Sequence, residues 1–228
     1  MQMARVFGLI VPVIMAATSL PAADPPVVVR KQGDFCSQDP NCFNRVHPDI
    51  EMRTRAKPGQ LIVLEARNAG DLNLDASGDW TLKDPPGSTV HPVTGPVYIE
   101  GAQPGDVLAV TLIDASPGDY GYTVIGDGGF LADLFPEATR VYWHQGDDYA
   151  TSPDLPSVRI PNATFPGIVM TLPDESLHTE ILQREAQLES IGGDVSLPLP
   201  SNAAPADLCG TDGSAPERCA RTFPPREY

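Results

Sequence analysis

Apolar residues in this chain come in short runs broken by Gly, Pro, Asp and Ser, a spacing that suits strands better than helices. Strands are predicted over residues 61–65, 97–99, 107–113, 122–125, 140–143, 158–160 and 168–172. Two of them follow the same turn, Ala-x-Pro-Gly-polar, at Lys57-Pro58-Gly59-Gln60 and at Gln103-Pro104-Gly105-Asp106. In both, Pro sets φ and Gly accepts the positive φ that a type II turn requires. One segment has helical spacing. Asp174 provides an N-cap, Leu177, Ile181, Leu188 and Ile191 recur at helical intervals as a core stripe, and Gly192-Gly193 stops the run, which predicts a helix over 174–191. Many short strands and one helix predict a mainly β fold, a β-sandwich with α+β additions.

The ends of the chain change this picture. Residues 1–23 combine Arg5, an apolar run from Val6 to about Met15 and small residues at Ala16, Ala17, Ser19, Ala22 and Ala23, the make-up of a secretory signal peptide. The run is shorter than the roughly 20 residues needed to span a bilayer. The expected location is therefore secreted or periplasmic, with no membrane attachment once the signal is removed. In an oxidising compartment the four cysteines read most simply as two local disulfides, Cys36 with Cys42 and Cys209 with Cys219, although four cysteines allow three pairings. Neither pair has the CxxC spacing of a zinc site. From Asp194 to Tyr228 the composition turns to Pro, Ala, Ser and Asp, an irregular excursion carrying the second cysteine pair. The net charge of -15 argues against nucleic acid or an anionic membrane as partner.

Several catalytic designs are excluded by sequence. There is no G-x-S-x-G elbow, no HExxH, and no H-x-E with PCxxC. Paired cysteines leave no thiol nucleophile. What remains is His47, Asp49, Glu65, Asp71, His91 and Glu100, each in or beside a turn. Imidazole and carboxylate groups can activate water and protonate a leaving amine. His91 and Glu100 flank one loop–strand unit and could share a site, yet a lone His in a Pro-rich turn more often serves local hydrogen bonding. The run Gly126-Asp127-Gly128-Gly129-Phe130 has no following Lys-Ser/Thr, which excludes a phosphate loop. Phe130 is a candidate substrate-binding residue if that loop covers a pocket, or simply a buried ring in a glycine-rich connection.

The stretch TVHPVTGPVYIEGAQPGDVL, residues 89–108, closely resembles the HP-x-TGP-[VI]-x-[VI]-EGA-x-PGD-x-L signature of the acetamidase/formamidase family. FNRVHPDI (43–50), KPGQLIVLEARNAGD (57–71), GGFLADLFPEA (128–138), FPGIVMTLP, LQREAQL and ARTFPPRE are similar to further family segments, in the same order. The resemblance implies a jelly-roll-like β-sandwich, hydrolysis of short linear amides such as formamide or acetamide to carboxylate and ammonia, and oligomeric assembly. It implies His91, Glu100 and Glu65 as catalytic residues, His47 and Asp49 in substrate binding, and a divalent metal, zinc or calcium, on His91 and Glu65. Family members continue past PPRE with GGN-x-D and GD-x-H-x-x-QGDGE segments, neither of which follows here. Residues 24–228 therefore read as the N-terminal portion of such a domain, incomplete as a sandwich and calling for a homo-oligomer or a completing chain. The alternative is a non-catalytic β-sandwich remnant that binds a small ligand or a partner chain.

Overall fold

The computed structural model describes residues 23–78, 91–125, 133–137, 139–193 and 204–205. Residues 1–22 of the predicted signal peptide, Phe130, Cys209, Cys219 and the bulk of 194–228 lie outside them. Within the described residues the fold is mainly β with one helix, as the pattern predicts. The strands are β1 (Val27–Val29), β2 (Cys42–Phe43), β3 (Thr54–Ala56), β4 (Ile62–Leu64), β5 (Val93–Thr94), β6 (Val97–Ile99), β7 (Tyr120–Ile125), β8 (Thr139–Gln145), β9 (Tyr149–Thr151) and β10 (Arg159–Pro161), followed by the helix α1 (Glu175–Ser190).

Four separate sheets result among the described residues. β7 to β10 form an antiparallel sheet in the order β10-β9-β8-β7, with Tyr122 opposite Tyr142. Val141, Trp143 and Ala150 are its buried cluster, and the Trp143 indole N–H donates to Thr123 Oγ1 at 2.9 Å. β1 pairs β4 in parallel, β3 pairs β6 in parallel, and β2 pairs β5 antiparallel. Both Pro-Gly turns form as expected. The Gln60 N–H donates to Lys57 O and the Asp106 N–H to Gln103 O, each at 3.0 Å, with Gly59 and Gly105 at φ 79° and 95°. The first leads into β4. The second leads into residues 107–113, which join no ladder.

The helix starts and stops as predicted. The Leu177 N–H donates to Asp174 Oδ1 at 2.8 Å, and Gly192 at φ 84° ends the run while the Gly193 N–H reaches Leu188 O. Its buried face differs from the prediction. His178 and Glu185, seven residues apart, are buried, whereas Leu177 is 45% and Ile191 78% exposed. The face carrying His178 docks on the loop around His47, so the aliphatic stripe is left partly in solvent.

The N-terminal region is anchored by a disulfide and by buried hydrogen bonds. Cys36 and Cys42 form a disulfide, and the two residues share one buried cluster with Ala204. Asn44 holds Ala204 from both sides. Its N–H donates to Ala204 O, and its Oδ1 accepts from the Ala204 N–H.

Candidate active site

The short β2–β5 ladder decides which loops meet. Phe43 lies opposite Val93 in antiparallel register, so the chain leaving β2 and the chain entering β5 are at one end of the pair. That end carries the 44–50 loop with His47 and Asp49, and it carries His91. Thr94 then ties in a third segment, its hydroxyl donating to Glu65 O at 2.9 Å just past β4. The loops bearing His47 and His91 thus meet at one end of the pair, while Glu65 is tied by its backbone to the other end, where Thr94 lies opposite Cys42.

His91 has left-handed backbone (φ 57°), and its N–H donates to Ala69 O at 2.8 Å. The acceptor loop is shaped by Asn68. Its Oδ1 accepts from the Gly70 and Leu72 N–H groups, and its Nδ2 donates to Leu72 O. Under this loop lies a buried ionic triad. Arg67 reaches Asp39 Oδ2 at 2.9 Å and Asp71 Oδ1 at 3.4 Å, all three side chains being at most 4% exposed. Arg67 also donates to the Gln32, Gly33 and Asp34 carbonyls. Asp71 accepts from the Cys36 N–H at 2.7 Å, which joins the disulfide loop to the His91 support. Burial pushes the Asp71 carboxyl above the usual range, against the pull of the Cys36 N–H and Arg67.

His47 is buried, and its Nδ1 accepts from the Asp49 N–H at 3.0 Å. The neutral ring then carries its proton on Nε2. The Asp49 carboxylate stands 3.7 Å from the same nitrogen and is exposed. His178 meets this ring edge to face, centroids 4.6 Å apart, and among the described residues its buried Nε2 has no hydrogen-bond partner. Burial first, then the neighbouring His47, lowers the His178 pKa below its ordinary value. Burial also lowers the guanidinium of the adjacent Arg45 to about 10. His178 lies on the helix, outside the turns that carry the other candidate side chains. The signal for its burial was the seven-residue spacing from His178 to Glu185 on one helical face.

The carboxylates divide. Glu65 Oε1 pairs with Arg30 at 2.7 Å and Oε2 accepts from the Lys31 N–H at 3.0 Å, so both oxygens are engaged. Glu100 lies at the far end of β6, exposed, its N–H on Ala56 O and its charge beside Lys57. Among the described residues no hydrogen bond or ion pair joins the side chains of His91, Glu65 and Glu100, and no three His, Cys, Asp or Glu side chains gather closely enough to hold a metal ion. Zinc or calcium on His91 and Glu65 therefore finds no complete donor set in these residues. A separate cleft of about 390 Å³, lined in part by Arg140, Tyr142, His144 and Asp154, holds none of the residues above.

A mainly β scaffold that brings imidazole and carboxylate loops to one strand end is a framework for acid–base chemistry on a small substrate. Residues 29–228 match the model of the Acetamidase/Formamidase family, and the chain belongs to that family. It is 33% identical over 207 residues to a formamidase of Methylophilus methylotrophus, covering 84% of this chain and 50% of that protein. It is also 33% identical over 210 residues to an acetamidase of Mycolicibacterium smegmatis, covering 81% of this chain and 50% of the relative. Among solved structures, a gamma lactamase from Delftia acidovorans superposes with a TM-score of 0.71 at 29% identity, over 89% of this chain and 53% of that one. The chain thus spans about half the length of these relatives.

Proposed function

We propose that the chain supplies the His91 face of an amidohydrolase that cleaves the C–N bond of short linear amides, formamide or acetamide in type. Water adds to the amide carbonyl carbon as an imidazole removes its proton. The C–N bond then breaks as that proton passes to the departing nitrogen, giving carboxylate and ammonia. His91 is the group assigned to carry the proton, on a backbone fixed by Ala69 and supported by the Arg67 triad. Glu65, held by Arg30, acts by keeping its loop in position beside Thr94, and His47 with Asp49 forms the neighbouring wall. The observation that carries this reading is the family match over residues 29–228, taken with the β2–β5 register that sets the loops bearing His47 and His91 at one strand end.

Export belongs to the same proposal. The Cys36–Cys42 disulfide supports an oxidising compartment, and the make-up of residues 1–23 supports a signal peptide. Among the described residues no helix is long and apolar enough to cross a membrane.

The test is ammonia release from formamide and acetamide by the purified chain, alone and mixed with the second half of the Methylophilus formamidase. Ammonia and carboxylate in equal amounts in either preparation is the expected result. No ammonia in both, from protein with an intact circular dichroism spectrum, would leave the non-catalytic remnant as the better reading.

A further inference from the structure

His91 and Asp71 both hold left-handed backbone, φ 57° and 53°, a conformation that a residue with a side chain keeps only where its surroundings impose it. The Cys36–Cys42 loop reaches this pair of residues from both of its ends. At the Cys36 end, the backbone N–H donates to Asp71 Oδ2 at 2.7 Å. Asp71 in turn donates its N–H to Asn68 O at 2.9 Å, closing the turn whose Ala69 O accepts from the His91 N–H. At the other end, Cys42 lies opposite Thr94, and Asn41 O accepts from the Gly95 N–H at 2.9 Å. A circuit therefore runs from Cys36 through Asp71, Ala69, His91 and Thr94 to Cys42, and the S–S bond closes it.

The loop has little order of its own. It opens on a 3-10 helix of 3 residues and runs into β2, a strand of 2 residues. Between them, Asp39 accepts from the Gln32 and Asn41 N–H groups and from Arg67, so the loop also places one carboxylate of the buried triad. Short elements of this kind keep their place through what cross-links them, and here the cross-link is covalent.

We infer that the Cys36–Cys42 disulfide is the positioning element of His91, so that the site becomes competent only once the two thiols are oxidised. Without the S–S bond the two ends of the circuit move independently, and His91 loses the restraint that holds its left-handed backbone. Oxidation proceeds by thiol–disulfide exchange with a small disulfide, RSSR. One cysteine thiolate attacks the reagent and expels a thiol, and the second then attacks the mixed disulfide and expels the other. The reagent's S–S bond breaks, the Cys36–Cys42 bond forms, and two protons and two electrons leave on two RSH molecules. Both cysteines are at most 4% exposed once paired, which keeps thiols from the bond, so the state is set as the chain folds. The effect on rate rests on the reading of His91 as proton carrier; the restraint on its backbone does not.

The test compares the oxidised chain with Cys36→Ser/Cys42→Ser, with Cys36→Ala/Cys42→Ala and with wild type folded in dithiothreitol, each shown to be folded by circular dichroism. The alanine pair suits the apolar surroundings beside Ala204 should the serine pair not fold, and the reduced wild type needs no substitution. The amide resonances of Ala69 and His91 are expected to shift or broaden in all three, with those of β8 unmoved. Ammonia release from formamide is read on the same samples, with and without the second half of the Methylophilus formamidase. A kcat lower by about tenfold or more with KM within about twofold is expected, since a displaced imidazole impairs the reacting geometry and not substrate binding. Refolding the reduced wild type with oxidised glutathione restores both readouts, and the serine pair does not respond. Unmoved Ala69 and His91 resonances overturn the inference, as does an unchanged kcat in folded variants. Equal movement in β8 also overturns it, because the disulfide then acts on the whole fold. No ammonia from any sample, the oxidised chain included, counts against the enzymatic reading, and the resonances alone then decide the restraint.

Discussion

Single residues in this fold differ sharply in what their charges do. Arg30 and Glu65 pair at 2.7 Å, but at side-chain exposures of 72% and 40%. Such a pair contributes about 0–1 kcal/mol, so Arg30→Ala should scarcely alter stability. Arg67 is the opposite case. It is buried against two carboxylates, and Arg67→Ala leaves Asp39 and Asp71 buried without their cation, with backbone N–H groups as the remaining partners. A loss of about 3–5 kcal/mol is expected, read from urea unfolding of the two variants side by side. An Arg67→Ala variant as stable as Arg30→Ala would remove the triad from its role under the His91 loop. His178 gives a pH signature. Its folded pKa lies below the ordinary 6.5, because burial and His47 disfavour the imidazolium. The unfolded chain then takes up a proton first as pH falls, so this contribution to stability is complete above pH 6.5 and is lost progressively below it. The melting temperature is expected to drop between about pH 7 and pH 5, with a shallower drop in His178→Gln; equal slopes would place the titrating group elsewhere. The Asp49 carboxylate is the nearby group that opposes the effect.

Elements were legible where their signals are local. The α1 caps, both Pro-Gly turns and the strands around 62–64, 97–99, 120–125, 139–145 and 159–161 follow from residues that act on their own backbone. Most of the misses are non-local; β9, which pairs with β8 across the 146–148 turn, is a local one, too short to register in the apolar pattern. β1, β2 and β3 are two or three residues long and exist through partners far along the chain, such as Val27 with Ile62 or Phe43 with Val93. Residues 107–113 and 168–172 have strand composition but no ladder among the described residues, since composition records the neighbours a strand is built for and not those at hand. The candidate site divides the same way. His91 and His47 could be picked from their turns, while the separation of Glu100 from His91 depends on how β6 pairs with β3. The buried His178–His47 contact needed the helix face, which the Leu/Ile stripe concealed. At this scale the disulfide is testable. Closing so short a loop contributes about 2 kcal/mol by the chain-entropy relation, and reduction should lower the unfolding midpoint accordingly.

Among the described residues, three two-stranded sheets and a four-stranded sheet have small buried clusters, while many large apolar side chains remain in solvent. Each Val, Leu or Ile left uncovered forgoes about 1.5–3 kcal/mol, and a handful matches the entire stability of an ordinary domain. The chain belongs to the acetamidase/formamidase family, and within it the loops around His47 and His91 are held by the Cys36–Cys42 disulfide and the Arg67 triad. The central claim is that His91, set on the loop above the Arg67 triad, carries the proton in amide cleavage. The most direct measurement is the rate of ammonia release from formamide by His91→Ala against wild type, each mixed with the second half of the Methylophilus formamidase. The account predicts a fall of about 100-fold or more with the circular dichroism spectrum unchanged. A His91→Ala variant that hydrolyses formamide at the wild-type rate would contradict it.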